Sequence, residues 1–482
     1  MSPFLYHARR QVLSHTMEGL LKLYSWKLGR DEAKQPPKVE QPLPENPQTP
    51  EDFRPLENAC FQNPYGFYKV LRDDHPVYQL PNGIFCISRF EDICAISRDH
   101  ENYSSNHQGA IAGLRPGQSI IKAGRRMEQL GAMGLIPADV LALSDQPQHT
   151  TERKVGHKGL NARFVKSLES EVEALCKNMM DEFIDQGEVE FMAEFGWKLP
   201  MKLIIKLLGF PEEDFEDIKG WCVHGIASQS GISTPSELYR SRAASIAFIR
   251  YCWKQFLIAK KNPRRDLTAI FVNAAIDPDN PMNEASAVSA IFQLLIAGSD
   301  SSATSMGNAL KMLIENPALA TEIRADMEGK LPAFIEEVFR LEAAFQGHFR
   351  WTKNDCELHG VKLPRESRIF LMWASGNRDE RMFDNGDAID LSRKNGKKHL
   401  TFGHGIHACI GRELARSEIR IVLRDFLLRT ENLRFNGEHP FLASMFAHTL
   451  VTLPVAFNPV VDSGAGTDTD KQATATDAAA VA

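Results

Sequence analysis

Residues 401–416, TFGHGIHACIGRELAR, set one cysteine, Cys409, in a loop punctuated by Gly403, Gly405 and Gly411, with a helical pattern starting directly behind it. Three glycines let the backbone take conformations closed to other residues and lie close against a flat partner. A cysteine at a helix N-terminus feels the positive end of the dipole and the free amides, which favour its thiolate. Phe402 is placed to shield the sulfur, and His407 stands two residues before it.

A thiolate on a loop of small residues is what a haem iron needs on one face. The pattern Phe-x-x-Gly-x-His-x-Cys-x-Gly, carried by Phe402, Gly405, His407, Cys409 and Gly411, resembles the cysteine-ligand loop of the cytochrome P-450 superfamily. Five residue types at fixed spacing make the match specific; a lone Gly-rich cysteine turn would fit an inert buried thiol equally well. The resemblance implies a mainly α fold with small β-sheets (α+β), in which a long central helix crosses a haem. It implies haem b as cofactor, Cys409 as the iron ligand, Phe402 and Gly403 beside the ring, and His407 at a propionate.

The long helix is easy to find. Residues 283–316 run without a breaker until Pro317 and would span about 50 Å at 1.5 Å per residue. Gly298 in its middle costs about 1 kcal/mol against Ala, so it needs a reason. Asp300 sits among Ser299, Ser301 and Ser302 in an otherwise apolar run. This centre resembles the family's Ala-Gly-x-Asp/Glu-Thr element, which implies that Gly298 opens a groove beside the iron and that Asp300 and Ser301 relay protons to dioxygen. The usual Thr is Ser301 here, which keeps the hydroxyl and loses the methyl that restricts its rotamer.

Three further elements join it. In SDQPQHTTERK, Ser144 or Asp145 can cap a helix with Pro147 in its first turn, and His149 and Arg153 share a face. Alone, such a pair is an ordinary solvated face; beside the Cys409 loop it resembles the family's propionate-binding element. Arg350, opening a segment with a hairpin turn at His359-Gly360, occupies the family's place for another propionate arginine. Residues 346–349 would line the pocket. Glu337, Arg340 and Arg393 resemble the family's buried charge network, which is costly unless fully hydrogen-bonded.

Elsewhere the pattern predicts a hairpin over residues 77–88 turning at Asn82-Gly83, a long irregular connection over residues 103–143, and a hairpin over residues 444–455 with its tip at residues 447–449. The domain organisation read from the chain is an N-terminal extension and Pro-rich linker over residues 1–50, one haem-thiolate domain over residues 51–460, and a disordered tail over residues 461–482. In the extension, Leu13, Met17, Leu20, Leu21 and Tyr24 share a helical face, with Arg9, Arg10, Lys22 and Lys27 beside it. Docking on the protein is the expectation, and peripheral contact with a membrane surface is the alternative.

A composition of 43% hydrophobic and 24% charged residues is that of an ordinary globular protein, and a net charge of −6 argues against nucleic acid as a partner. Eight cysteines without CxxC pairs suit a reducing cytoplasm. No apolar run is long enough for a transmembrane anchor. The resemblance implies a monooxygenase inserting one atom of O2 into a small-to-medium apolar molecule. Neither a flavin-type Gly fingerprint nor an iron–sulfur cysteine cluster is present, so a separate protein would supply electrons; the resemblance implies a small, acidic iron–sulfur ferredoxin and its NAD(P)H-dependent reductase. Arg412, Arg416, Arg420 and Arg424, in a row at four-residue spacing, are the expected docking face for that acidic donor, with Arg416 first. The alternatives are a peroxide-driven or non-inserting enzyme of the same fold, and a non-enzymatic haem binder or gas sensor.

Overall fold

A computed structural model describes residues 3–34, 42–55, 57–106, 119–137, 140–227, 233–280 and 282–460. The expected disordered tail at 461–482, part of the Pro-rich linker and part of the 103–143 connection lie outside them.

In chain order the helices are α1 (Pro3–Glu32), α2 (Asn58–Gln62), α3 (Tyr65–Asp74), α4 (Phe90–Arg98), α5 (Ile120–Ala132), α6 (Gln148–Gly159), α7 (Ala162–Asp181) and α8 (Lys198–Leu207). They continue with α9 (Phe215–Ala227), α10 (Pro235–Lys261), α11 (Leu267–Ile276), α12 (Glu284–Glu315), α13 (Pro317–Ala325), α14 (Met327–Leu341), α15 (Trp373–Gly376) and α16 (Arg412–Arg429). The strands are β1 (Val77–Gln79), β2 (Ile84–Ile87), β3 (Tyr103–Ser104), β4 (Glu188–Glu190), β5 (His348–Thr352), β6 (Cys356–Leu358), β7 (Val361–Leu363), β8 (Arg368–Leu371), β9 (Thr430–Phe435) and β10 (Pro454–Pro459). The expected class, helices with small sheets, is what forms.

The central helix α12 begins where Asn283 accepts from the Ser286 amide at 2.8 Å and ends at the residue before Asn316-Pro317. It is buried along most of its length because α8, α9, α10, α11, α14 and α16 pack around it. A helix apolar on every side is stable only when covered in this way.

The strands form a five-stranded sheet in the order β1-β2-β8-β5-β3, a three-stranded sheet β4-β10-β9, and the hairpin β6-β7. The β1-β2 hairpin turns at Gly83 with φ 83°, and β6-β7 at His359 and Gly360 with φ 51° and 78°. These left-handed positions are where Gly and short polar residues are expected.

Three local expectations need correction. The 103–143 connection contains the helix α5, started by Ser119, whose hydroxyl accepts from the Lys122 amide at 3.3 Å. Neither Ser144 nor Asp145 caps α6. Ser144 donates to Glu152 at 2.7 Å, and Asp145 accepts from the Ser104 hydroxyl and the Ser105 amide. The C-terminal loop closes earlier than expected, through Leu442 N–H to Thr449 O and Val451 N–H to Pro440 O, while residues 454–459 join the three-stranded sheet. Its tip bridges Ala447 to Phe345.

Candidate active site

The Cys409 loop is held from both ends. The Cys409 amide donates to Phe402 O at 2.6 Å, and the Ala408 amide to Gly405 O at 3.1 Å. Gly403 and Gly405 have φ of 70° and 73°, and a Cβ at Gly405 would meet Ser97 O at 2.5 Å. A residue with a side chain therefore cannot replace Gly405 without moving the loop. Phe402 stacks edge-on to Phe339 at 4.7 Å and lies under the Arg416 guanidinium at 4.8 Å.

Of the eight cysteines, all free, Cys409 is the one that is exposed. Its surroundings do not depress its thiol, contrary to the dipole argument. Enclosure by protein pushes the pKa up, and the Gly411 amide with Arg153, Arg412 and Arg416 offsets this only in part. Desolvation outweighs a helix terminus until a cation sits against the sulfur.

Among the residues expected at the propionates are buried groups short of a partner. His149 is 2% exposed, and neither ring nitrogen has a hydrogen-bond partner. Burial, then the Arg153 charge, lowers its pKa to about 4. Its ring lies 4.2 Å from that of His407. Arg153 donates to Ala408 O at 2.6 Å, tying α6 to the cysteine loop. Arg350, on β5, is buried and donates to Phe349 O at 2.7 Å; no carboxylate among the described residues pairs with it. Burial lowers its pKa to about 10. A buried guanidinium without an anion is costly, and two propionates would satisfy it and the imidazoles with charge-assisted bonds. These residues fit a haem.

On α12, Ala297 and Ser301 stay open while most of their neighbours are buried. The Ser301 hydroxyl donates to Ala297 O at 2.8 Å. α12 is unbroken at Gly298, where a Cβ would meet Ile204 of α8 at 3.4 Å. Asp300 is 1% exposed, and neither of its carboxyl oxygens has a partner. Burial raises its pKa to about 7, and the Cys222 thiol of α9 senses its charge. Successive helical residues point about 100° apart, so Asp300 and Ser301 do not share a face.

The expected charge network is complete. Arg340 grips Glu337 through Nε at 2.8 Å and Nη2 at 2.7 Å, and Arg393 Nε reaches Glu337 Oε1 at 3.2 Å. Arg340 also donates to Asn377 O, Gly386 O and Ala388 O.

A second network was invisible in the sequence because its members lie 80 residues apart. Arg416 donates to Glu336 through Nε at 2.7 Å and Nη2 at 3.0 Å, and His399 Nε2 lies 3.2 Å from Glu336. The Thr401 amide donates to His399 Nδ1, so Nε2 carries the proton toward Glu336. Burial pushes Glu336 up, but the His399 and Arg416 donors and charge hold it down to about 2. Burial lowers His399 despite this carboxylate. The coherent reading is a neutral imidazole donor with Arg416 supplying the charge.

Arg416 is thus engaged by Glu336, with 22% of its side chain exposed, and is not a free cation of the row. Arg420 pairs with Glu169 at 2.7 Å. Arg412 is exposed and only 3.5 Å from the equally exposed Glu413, and Arg424, Lys397 and Lys398 are exposed with no ion pair. Sequence reading also missed Asn377, which accepts from the Leu400 amide and donates to Thr401 Oγ1 at 2.8 Å, fixing the start of the cysteine loop. It missed Glu418 on α16, buried and raised to about 7 by desolvation against the Ser302 hydroxyl. A polar residue inside a helical pattern gives no sign of such burial.

Comparison with known proteins identifies the family. Residues 247–444 match the family described as Cytochrome P450. The chain is 30% identical over 402 residues to Cytochrome P450 144 of Mycobacterium tuberculosis, covering 82% of this chain and 89% of that one. It is 29% identical over 374 residues to the Cyclomarin C epoxidase CymV of Salinispora arenicola, covering 76% and 89% respectively. The fold superposes on the structure of Cytochrome P450 CYP109Q5 from Chondromyces apiculatus with a TM-score of 0.72 at 27% identity, covering 84% and 98%.

Proposed function

The chain belongs to the cytochrome P450 family, and from that premise we propose that Cys409 is the axial ligand of its haem b in a monooxygenase acting on a small-to-medium apolar substrate. The family's enzymes are haem-thiolate oxidoreductases. The bound haem supplies the oxygen-activating chemistry, and the protein holds, orients and protonates.

In this reading Arg350, Arg153, His149 and His407 receive the propionates. Phe402 and Arg416 cover the sulfur side, and Gly403 lets the loop lie close. Ser301 presents the hydroxyl that holds a proton at the open wall of α12. Asp300, an acid raised to about 7, serves as the reservoir behind it. Ala297 leaves the wall clear, and Phe345 and Phe446, stacked at 4.7 Å, offer an apolar surface to substrate. Residues 51–460 act as one unit. Electrons come from a separate ferredoxin that docks on Arg412, Arg424, Lys397 and Lys398, the exposed cations around the cysteine loop. Eight free thiols fit a reducing cytoplasm.

The observation that carries this reading is the exposed thiol of Cys409 beside buried, anion-less His149 and Arg350. The test compares product formation from a library of apolar compounds with NADH, ferredoxin and reductase against peroxide alone. Donor-driven turnover exceeding the peroxide rate is the expected result. Turnover with peroxide only would replace the monooxygenase by a peroxide-driven enzyme.

A further inference from the structure

Helix α1 docks against α10 with its polar side inward. Arg10 is buried with its guanidinium 3.9 Å over the Trp253 ring. Ser14 and Ser25 are buried, and Ser25 donates to Ser236 O at 2.8 Å. Glu18 pairs with Arg250 at 2.7 Å, and Glu32 accepts from the Ser236 amide at 3.0 Å. Leu13, Met17, Leu21 and Leu28 are half buried at this contact. The expected common face of Leu13, Met17, Leu20, Leu21 and Tyr24 is therefore divided.

The outer side is apolar. Val12 is 67% exposed, Leu20 51%, Leu23 58% and Trp26 60%. At 3.6 residues per turn these four fall within an arc of about 120°. Gly19 and Thr16 lie between them, and a Cβ at Gly19 would meet nothing within 4 Å. A soluble helix ordinarily shows the reverse arrangement, with apolar residues inward and charges outward.

We propose that this outer face of α1 binds the surface of an anionic lipid membrane, with the helix lying flat in the interface. Its charges select that occupant. Arg9 and Lys27 lie within the arc, between Leu23 and Leu20, Lys22 and His15 border its Trp26 side, and Arg30 closes its end, 5.0 Å over the Trp26 ring. From residue 3 to residue 30 the only acid is Glu18, and it faces the protein. Cations set among and beside exposed aliphatic and tryptophan side chains suit an interfacial helix, whose long basic side chains snorkel to the headgroups. A second copy of the chain would bring two positive faces together, which disfavours self-association. Crossing the bilayer is excluded for α1, since no described helix is long and apolar enough. At about 45 Å the helix is long enough to rest along a surface.

The polar docking on α10 gives this face a fixed platform, so lipid contact would orient the whole enzyme rather than tether it loosely. The inference rests on α1 alone and is independent of the assigned reaction.

The test is flotation of the full-length, haem-loaded protein with vesicles of phosphatidylcholine containing phosphatidylglycerol, against phosphatidylcholine alone, at low and high salt. Wild type should float with the anionic vesicles and less so at high salt. The variant V12E/L23E should lose about tenfold or more in partitioning, and R9E/K27E should lose chiefly the anionic preference. Both should keep haem content and spectrum, since neither position touches the haem site. Absence of flotation by wild type, or equal flotation by V12E/L23E, would overturn the proposal. A concentration-dependent dimer that V12E/L23E dissolves, without vesicle binding, would assign the face to a second copy instead.

Discussion

Two groups of buried charge lie close to the cysteine loop and differ in one respect. Glu337, Arg340 and Arg393 satisfy one another and the surrounding carbonyls. His149, Arg350 and Asp300 are equally buried, yet His149 and Asp300 have no hydrogen-bond partner and Arg350 has no anion. A folded chain does not retain unpaired buried polar groups for stability, since each costs free energy. The first group is scaffold. In the function proposed above, the second receives a ligand and handles protons.

The largest expected effect comes from breaking the scaffold. Arg340→Ala removes the bidentate donor of Glu337, leaving it Arg393 and the Asp390 amide, and takes a donor from three carbonyls, which should cost about 3–5 kcal/mol. Little soluble holoprotein should accumulate, as measured by haem per milligram of soluble fraction. Normal yield would mean that the network is dispensable.

A satisfied buried carboxylate and an unsatisfied one should also respond oppositely to pH. Glu336, in the satisfied Arg416 network, has a folded pKa of about 2 against 4.5 unperturbed. Its contribution is present above 4.5 and lost as pH falls toward 2, on the order of 3 kcal/mol. Asp300 goes the other way, with a folded pKa of about 7 against 3.8. The neutral form stabilises the fold below 3.8, and that advantage is lost as pH rises through 7. Glu336→Gln should therefore flatten the acid limb of a melting-temperature profile. Asp300→Asn should raise the melting temperature more at pH 8 than at pH 5. Parallel profiles for wild type and both variants would contradict this sign.

Arg350→Leu sharpens the contrast further. It should weaken haem retention by about tenfold to a hundredfold, the worth of a charge-assisted bond, while the haem-free protein becomes no less stable. Haem transfer to an acceptor globin measures the first and chemical denaturation the second. A destabilised haem-free protein with unchanged haem retention would make Arg350 scaffold.

The boundary between these groups shows what the chain disclosed by itself. The cysteine loop, the Pro317 stop of α12, the His359-Gly360 turn and the Glu337–Arg340 pair are local patterns, and each formed as read. What was not legible depends on partners far along the chain. Arg416 looked like part of a free basic row because Glu336 lies 80 residues earlier. The inverted docking of α1 follows from Ser236, Arg250 and Trp253, which no periodicity within residues 3–32 could indicate.

That correction makes a smaller prediction about the electron donor. Arg412→Glu with Arg424→Glu should slow ferredoxin-driven reduction several-fold and weaken its salt dependence, with substrate binding intact. Arg416→Glu should instead reduce soluble holoprotein, by breaking the Glu336 network. A well-folded Arg416→Glu enzyme with a selective ferredoxin defect would restore the original reading of the row.

The central claim is that Cys409 supplies the sulfur to the haem. The most direct measurement is the absorption spectrum of the reduced protein under carbon monoxide, for wild type and Cys409→Ala. The account predicts the red-shifted Soret band of a thiolate ligand in wild type and its loss in the variant. Persistence of that band in Cys409→Ala would contradict it.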